Sequence, residues 1–125
     1  FDFIIVFTAF RCVVWIYYVS DSYAGKVAKG YDALQMKEYQ TAEKYFKHAI
    51  GKNAQKPEAY SGLAETYMEQ GEEDEAESVF LSAIASYPSN QELYQAAIRF
   101  YEESKQLEKF RKFWETVRMK QYCQV

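Results

Sequence analysis

Slid against itself until Tyr60 falls on Tyr94, the sequence matches itself twice, and this period governs what the chain can become. Residues 57–90 (PEAYSGLAETYMEQGEEDEAESVFLSAIASYPSN) align with 23–56 and with 91–124. In the same register Tyr67 falls on Tyr101, Ala42 on Ala76, and Ala49 on Ala83, while Phe46 falls on Phe80 and Trp114. A unit this short cannot enclose its own apolar face, so neighbouring units must stack to bury it.

Within the unit the apolar positions follow helical spacing. Tyr60, Leu63, Ala64 and Tyr67 recur at i, i+3, i+4, i+7, and Ala76, Phe80, Ala83 and Ile84 mark one face of the next segment. Small residues at Ala64, Ala76 and Ala83 let two backbones approach, and Tyr67 and Phe80 fill the space between. Gln70-Gly71 supplies the turn, Pro88 stops one hairpin, and Ser89 with Glu92 reads as a capping box. Pro57 suits a first helical turn, where its missing N–H costs nothing. With only five Gly and two Pro, long helices are favoured over many short strands.

The pattern predicts an all-α chain of seven helices. The first, apolar, runs over about residues 2–22. Pairs follow at about 24–37 with 40–52, 57–70 with 74–86, and 91–103 with 107–122. Only Gly25 interrupts the passage from the first helix to the second, so an alternative expectation is that the two run on as one.

A period of this length, with this alternation of bulky and small residues, resembles the tetratricopeptide repeat family. The middle repeat fits at Tyr60, Leu63, Ala64, Tyr67, Ala76, Phe80, Ala83 and Pro88. The first keeps Gly30, Ala42, Phe46 and Ala49 but has Lys26 and Lys29 where large apolar residues are usual. The third keeps Tyr94, Tyr101 and Trp114, puts Phe110 in place of a small residue, and ends without Pro. The resemblance covers 23–124 and implies a solenoid of about three helix-turn-helix repeats (23–56, 57–90, 91–124); the hydrophobic helix over 1–22, read from its own residues, precedes it. The resemblance also implies a non-enzymatic protein–protein interaction scaffold, with partners held in a concave groove along the first helix of each pair. The corresponding positions are Val27, Tyr31 and Leu34, then Ser61, Glu65 and Met68, then Gln95, Arg99 and Glu102. Members that clamp chaperone C-terminal carboxylates use Lys and Asn there. This chain does not, which disfavours that activity.

The first twenty residues are a different material. Phe3 to Val19 is apolar except for Thr8 and Arg11. As a helix these 17 residues span ~26 Å, slightly short of a ~30 Å hydrocarbon layer. Arg11 sits near the middle, where a cation costs ~2.5–3.5 kcal/mol on insertion scales. Trp15, Tyr17 and Tyr18 cluster at one end like an interfacial belt. Membrane contact through 3–19 is one expectation. The other is burial against copies of the same helix, with Arg11 meeting Asp2 of a neighbour offset by ~13 Å. A chain opening on Phe1 and continuing as a hydrophobic helix resembles a mature type IV pilin. Those pilins usually carry Glu at the fifth position, and this chain has Ile5.

Charge is uneven within a net −3. Eight acidic residues and no Lys or Arg lie from Glu58 to Glu77, and six basic residues lie from Lys105 to Lys120. They read as two solvated faces, or as the acidic middle of one copy meeting the basic tail of another. No basic stripe for nucleic acid is present. Cys12 and Cys123, at opposite ends, form neither a disulfide framework nor a metal-ligand spacing. The single His48, on the outer face of its helix, cannot build a nucleophile–base set, and no phosphate loop appears, so neither catalysis nor a cofactor is expected.

The function expected is therefore an interaction scaffold held in the cell envelope, or in an assembly, by its leading helix. The groove candidates are Tyr31, Leu34, Glu65, Met68, Arg99 and Glu102. The assembly candidates are Asp2, Arg11, Trp15, Tyr17 and Tyr18, with Trp114 and Tyr122 near an uncapped solenoid end. The alternative is a subunit of an extracellular pilus-like filament, apolar helices as core and repeats outside.

Overall fold

The computed structural model describes residues 2–104 and 107–122, the latter without the side chains of Leu107, Phe110, Val117, Lys120, Gln121 and Tyr122. Seven helices follow in order: α1 (Asp2–Ser20), α2 (Tyr23–Gln35), α3 (Tyr39–Lys52), α4 (Pro57–Glu69), α5 (Glu73–Ser86), α6 (Gln91–Glu103) and α7 (Leu107–Tyr122). There is no strand among the described residues. After α1 the helices pair as hairpins, α2 with α3, α4 with α5, and α6 with α7.

The period is visible in the core. The Phe46 ring of α3 is fully buried and lies against two glycines, Gly30 of α2 and Gly62 of α4. A methyl at Gly30 would stand 2.7 Å from that ring, and one at Gly62 would stand closer still. One repeat is thereby seated in the next through a residue that has no side chain. One period on, Phe80 is fully buried with Ala64, Ala76 and Ala83 around it. A polar contact repeats as well. The Tyr67 hydroxyl donates to Glu43 at 2.9 Å, and one repeat later Tyr101 donates to Glu77 at 3.1 Å. Each bond runs from the first helix of one hairpin to the second helix of the hairpin before it.

The turns repeat too. After α4, Gly71 has φ of +79°, with Gly71 N–H on Met68 C=O (3.0 Å) and Glu72 N–H on Tyr67 C=O (2.9 Å). After α2 the same pair of bonds forms from Lys37 to Leu34 and from Glu38 to Ala33, both 2.9 Å. Lys37 is forced to φ of 60°, where a Cβ is disfavoured. Helix starts borrow from neighbouring repeats. Lys56 gives α4 no side-chain cap, and the Tyr23 hydroxyl accepts from Ala59 N–H at 3.0 Å instead.

Three expectations are corrected. α1 does not run on into α2: the chain turns at Asp21-Ser22, and the Ser22 hydroxyl caps α2 by accepting from Gly25 N–H at 3.1 Å. A side chain at Gly25 would collide with the Val19 carbonyl oxygen, so glycine permits the turn rather than merely interrupting a helix. α6 is capped by Asn90 rather than Ser89, its side chain accepting from Glu92 N–H and Leu93 N–H. In the third repeat Phe113, not Trp114, takes the buried aromatic place. In the sequence, the position of the fully buried Ala42 and Ala76 is held in this repeat by Phe110.

Curvature follows from which helices meet. The backbones of α2, α4 and α6 approach one another in succession, whereas among the described residues no Cα of α3 comes within 8 Å of one in α5. The first helices therefore form a closed inner wall and the second helices splay apart outside it.

The glycines set opposite expectations for one kind of substitution. Gly62→Ala should lower stability by ~1–3 kcal/mol, because the added methyl overpacks the Phe46 ring. Gly51→Ala, with nothing within 4 Å of the new methyl, should raise it by ~0.5–1 kcal/mol. Urea unfolding of both variants beside the wild type decides the point; a stabilised Gly62→Ala would show that the slot is loose. Lys37→Gly should add ~0.5–1 kcal/mol by relieving the left-handed turn. A melting temperature that fails to rise would refute that account.

Candidate functional site

The inner wall places three residues of one repeat position in a row. Tyr31 on α2, Glu65 on α4 and Arg99 on α6 hold the same place in successive repeats. Together with Ser61, Met68, Ala96, Phe100, Glu103 and Ser104 they line a groove of about 370 Å³. Its floor is an extension of the core. Tyr31 stands edge-on to Phe46, ring centroids 5.1 Å apart, and Phe100 packs on Phe80 at 5.2 Å. Its rim is charged. Burial raises the Glu65 carboxyl above the ordinary carboxylate range, and neighbouring Glu69 and Glu103 push the same way. Arg99 supplies positive charge on the α6 side.

Four groove candidates from the sequence, Tyr31, Glu65, Met68 and Arg99, come together here. Leu34 and Glu102 do not. Leu34 is only 4% exposed and belongs to the core cluster with Ala33, Ala42, Phe46 and Leu63. Glu102 is exposed outside the groove, and Glu103 and Ser104 line it instead. Leu34, Met68 and Glu102 share one repeat position, so a strict period assigns them one environment. The stack gives them three. Sequence reasoning missed Ala96, Phe100, Glu103 and Ser104. Phe100 had a signal: it stands at the position of fully buried Thr66, and a phenyl needs more room.

A second feature lies at the other end. Every side chain of α1 from Asp2 to Val19 is exposed, and the helix touches only α2. This 19-residue helix, with an 18-residue stretch of mean hydropathy 1.9, is long and apolar enough by length and composition to cross a membrane. Asp2 and Arg11 are both exposed, as are Trp15, Tyr17 and Tyr18 near the α2 end. The junction to the solenoid is tied on several sides. Asp21 pairs with Lys52 of α3 at 2.7 Å and with Lys26 of α2 at 3.2 Å, and these lysines hold its carboxyl below the usual range. Lys29 reaches back to the Ser20 hydroxyl.

Trp114 is 42% exposed on α7, and the side chain of Tyr122 lies outside the described residues. Cys12 is an exposed free thiol, and Cys123 lies outside the described residues. The acidic middle and the basic tail meet within one chain: Lys109 of α7 faces Glu73, Asp74 and Glu77 of α5 at 3.5 to 3.9 Å. His48 is exposed on α3. Among the described residues no group of three or more His, Cys, Asp or Glu is placed to hold a metal ion.

Comparison with known proteins agrees with the geometry. The crystal structure of MamA shares the fold, with a TM-score of 0.55 at 23% identity, covering 85% of this chain. This chain spans 62% of that one. No curated protein sequence matches. The tetratricopeptide repeat family profile matches residues 33–97, just over half of the 125 residues, from the first hairpin into the third. The chain belongs to the tetratricopeptide repeat family.

Proposed function

We propose that this chain is a non-enzymatic protein-interaction scaffold, its inner groove the docking surface and its α1 the element that holds it in the cell envelope. The observation that carries this is the contrast between the two parts. The solenoid buries its own core, while α1 exposes every apolar side chain it has. An all-round apolar helix must be surrounded by lipid or by protein. The groove, with Tyr31, Met68 and Phe100 beneath Glu65 and Glu103, suits an apolar segment that brings a Lys or Arg.

A second reading is favoured by the α1–α2 junction. A lipid anchor needs no ties to the solenoid, but here the end of α1 is joined to it through Asp21, Lys26, Lys29 and Lys52. Such ties suit a subunit whose α1 helices pack into the core of an extracellular, pilus-like filament with the solenoids outside.

Glu65 tests the groove electrostatics. Its carboxyl is raised in the folded chain, so its charged form destabilises the fold above the folded pKa. That cost begins to shrink as pH falls through the folded pKa and is gone below the unfolded one. Glu65→Gln should raise stability at neutral pH by a few tenths of a kcal/mol, about the size left after solvent screening. Melts across pH 4 to 7 should show the gain closing toward acid; a gain independent of pH would remove the electrostatic cause. Negative-stain microscopy of the purified chain without detergent tests the role of α1. Monodisperse particles that need detergent to stay soluble carry the envelope anchor, and filaments carry the second reading. A chain that stays monomeric in plain buffer defeats both.

A further inference from the structure

α1 carries two charges, Asp2 and Arg11, and their placement is specific. Nine residues along a straight helix separate them by ~13 Å and by about half a turn, so they project from opposite faces. They cannot satisfy one another within one helix. Among the described residues neither takes part in an ion pair, and both are exposed. The other polar groups of the helix are accounted for. The Thr8 hydroxyl donates back to the Ile4 and Ile5 carbonyls at 2.9 and 3.0 Å. Trp15, Tyr17 and Tyr18 lie within six residues of Asp21, about 9 Å along the helix, toward its polar end. If α1 is buried, Asp2 and Arg11 are the two groups that need a partner from outside.

We infer that the partner is a second copy of α1, parallel and displaced along the axis by the rise between the two charges, with Arg11 of one copy against Asp2 of the next. The opposite-face placement decides the symmetry. An antiparallel two-fold dimer would need both charges on one face to form two such pairs. Parallel helices in register would set Arg11 against Arg11. The staggered arrangement satisfies both charges, because each copy gives Arg11 to a neighbour on one side and Asp2 to a neighbour on the other. Such a contact is head-to-tail, and because each copy is displaced along the axis it cannot close a ring and propagates as an open helical array. Lipid offers no equivalent, since it leaves Arg11 without an anion at mid-depth.

This rests on the self-assembly reading above and adds its register. The test is charge reversal in the full chain, prepared without detergent and followed by sedimentation and negative-stain microscopy. Arg11→Asp alone and Asp2→Arg alone should each raise the concentration needed for assembly by about a hundredfold or more, as breaking a buried pair does. The doubly reversed chain should assemble again with the wild-type axial repeat. Circular dichroism melts should keep the solenoid transition in all variants, because neither residue touches it. If wild type and both single variants form the same filaments, the pairing is wrong and the self-assembly reading stands. If wild type stays dispersed, or partitions into neutral phosphatidylcholine vesicles instead of sedimenting as filaments, the reading and the pairing fall together.

Discussion

The seat of Phe46 between Gly30 and Gly62 is the contact on which the rest of the molecule depends. It is the place where two hairpins become a stack, since one ring on α3 fills space left by missing side chains on both α2 and α4. Dispersion between a ring and two bare backbone surfaces is lost if either surface retreats by a fraction of an ångström. The backbones are therefore held at one separation, and the separation is inherited. It brings Tyr67 within reach of Glu43, positions Tyr31 edge-on to the ring, and closes the inner wall from which the groove is made.

The second interface uses different residues for the same purpose. Around Phe80 the close approach comes from Ala64, Ala76 and Ala83, and the Tyr101–Glu77 bond repeats the polar contact. Burial drives the Tyr101 phenol well above its ordinary range, so it donates to Glu77 as a neutral hydroxyl. A hydrogen bond to a charged acceptor in a half-buried site is directional, whereas the alanine–phenylalanine contacts are not. The apolar set fixes how near the helices lie, and the tyrosine fixes their rotation. Where the alanine set breaks, at Phe110, Phe113 takes the place that the period reserved for Trp114.

Helices, hairpins and turns were legible because each rests on local chemistry: a face of four spaced residues, a glycine after a helix, a proline before one. The groove was legible only in part. Tyr31, Glu65 and Arg99 followed from the period, but Leu34 and Glu102 did not keep the environment of Met68. A repeat register describes one unit, while the groove depends on how successive units turn against each other and on which end of the stack a unit occupies. Leu34 lies where α3 and α4 both cover α2. The corresponding position in α6 has no later hairpin among the described residues to cover it. The turn at Ser22 was hidden for a different reason. Gly25 reads in sequence as a weak spot in a helix, and its use, admitting the Val19 carbonyl, exists only once the chain has folded back.

The shape of the whole bears on how α1 can be buried. About 100 residues of solenoid have a radius of gyration of roughly 13 Å and so measure about 30 Å across. Helices in contact pack about 8–10 Å apart. Two α1 helices side by side, in register and with their solenoids leaving in the same direction, would bring the solenoids to about a third of the separation they need. Lipid-embedded copies avoid the clash by keeping apart, which leaves α1 without protein neighbours. Copies that do touch through α1 must be offset along the axis, turned about it, or both. A displacement of ~13 Å per neighbour supplies part of the clearance, and rotation about the core supplies the rest. The bulk of the solenoid is thus compatible with the displacement that the spacing of two charges on α1 calls for, although nothing in the sequence links the one to the other.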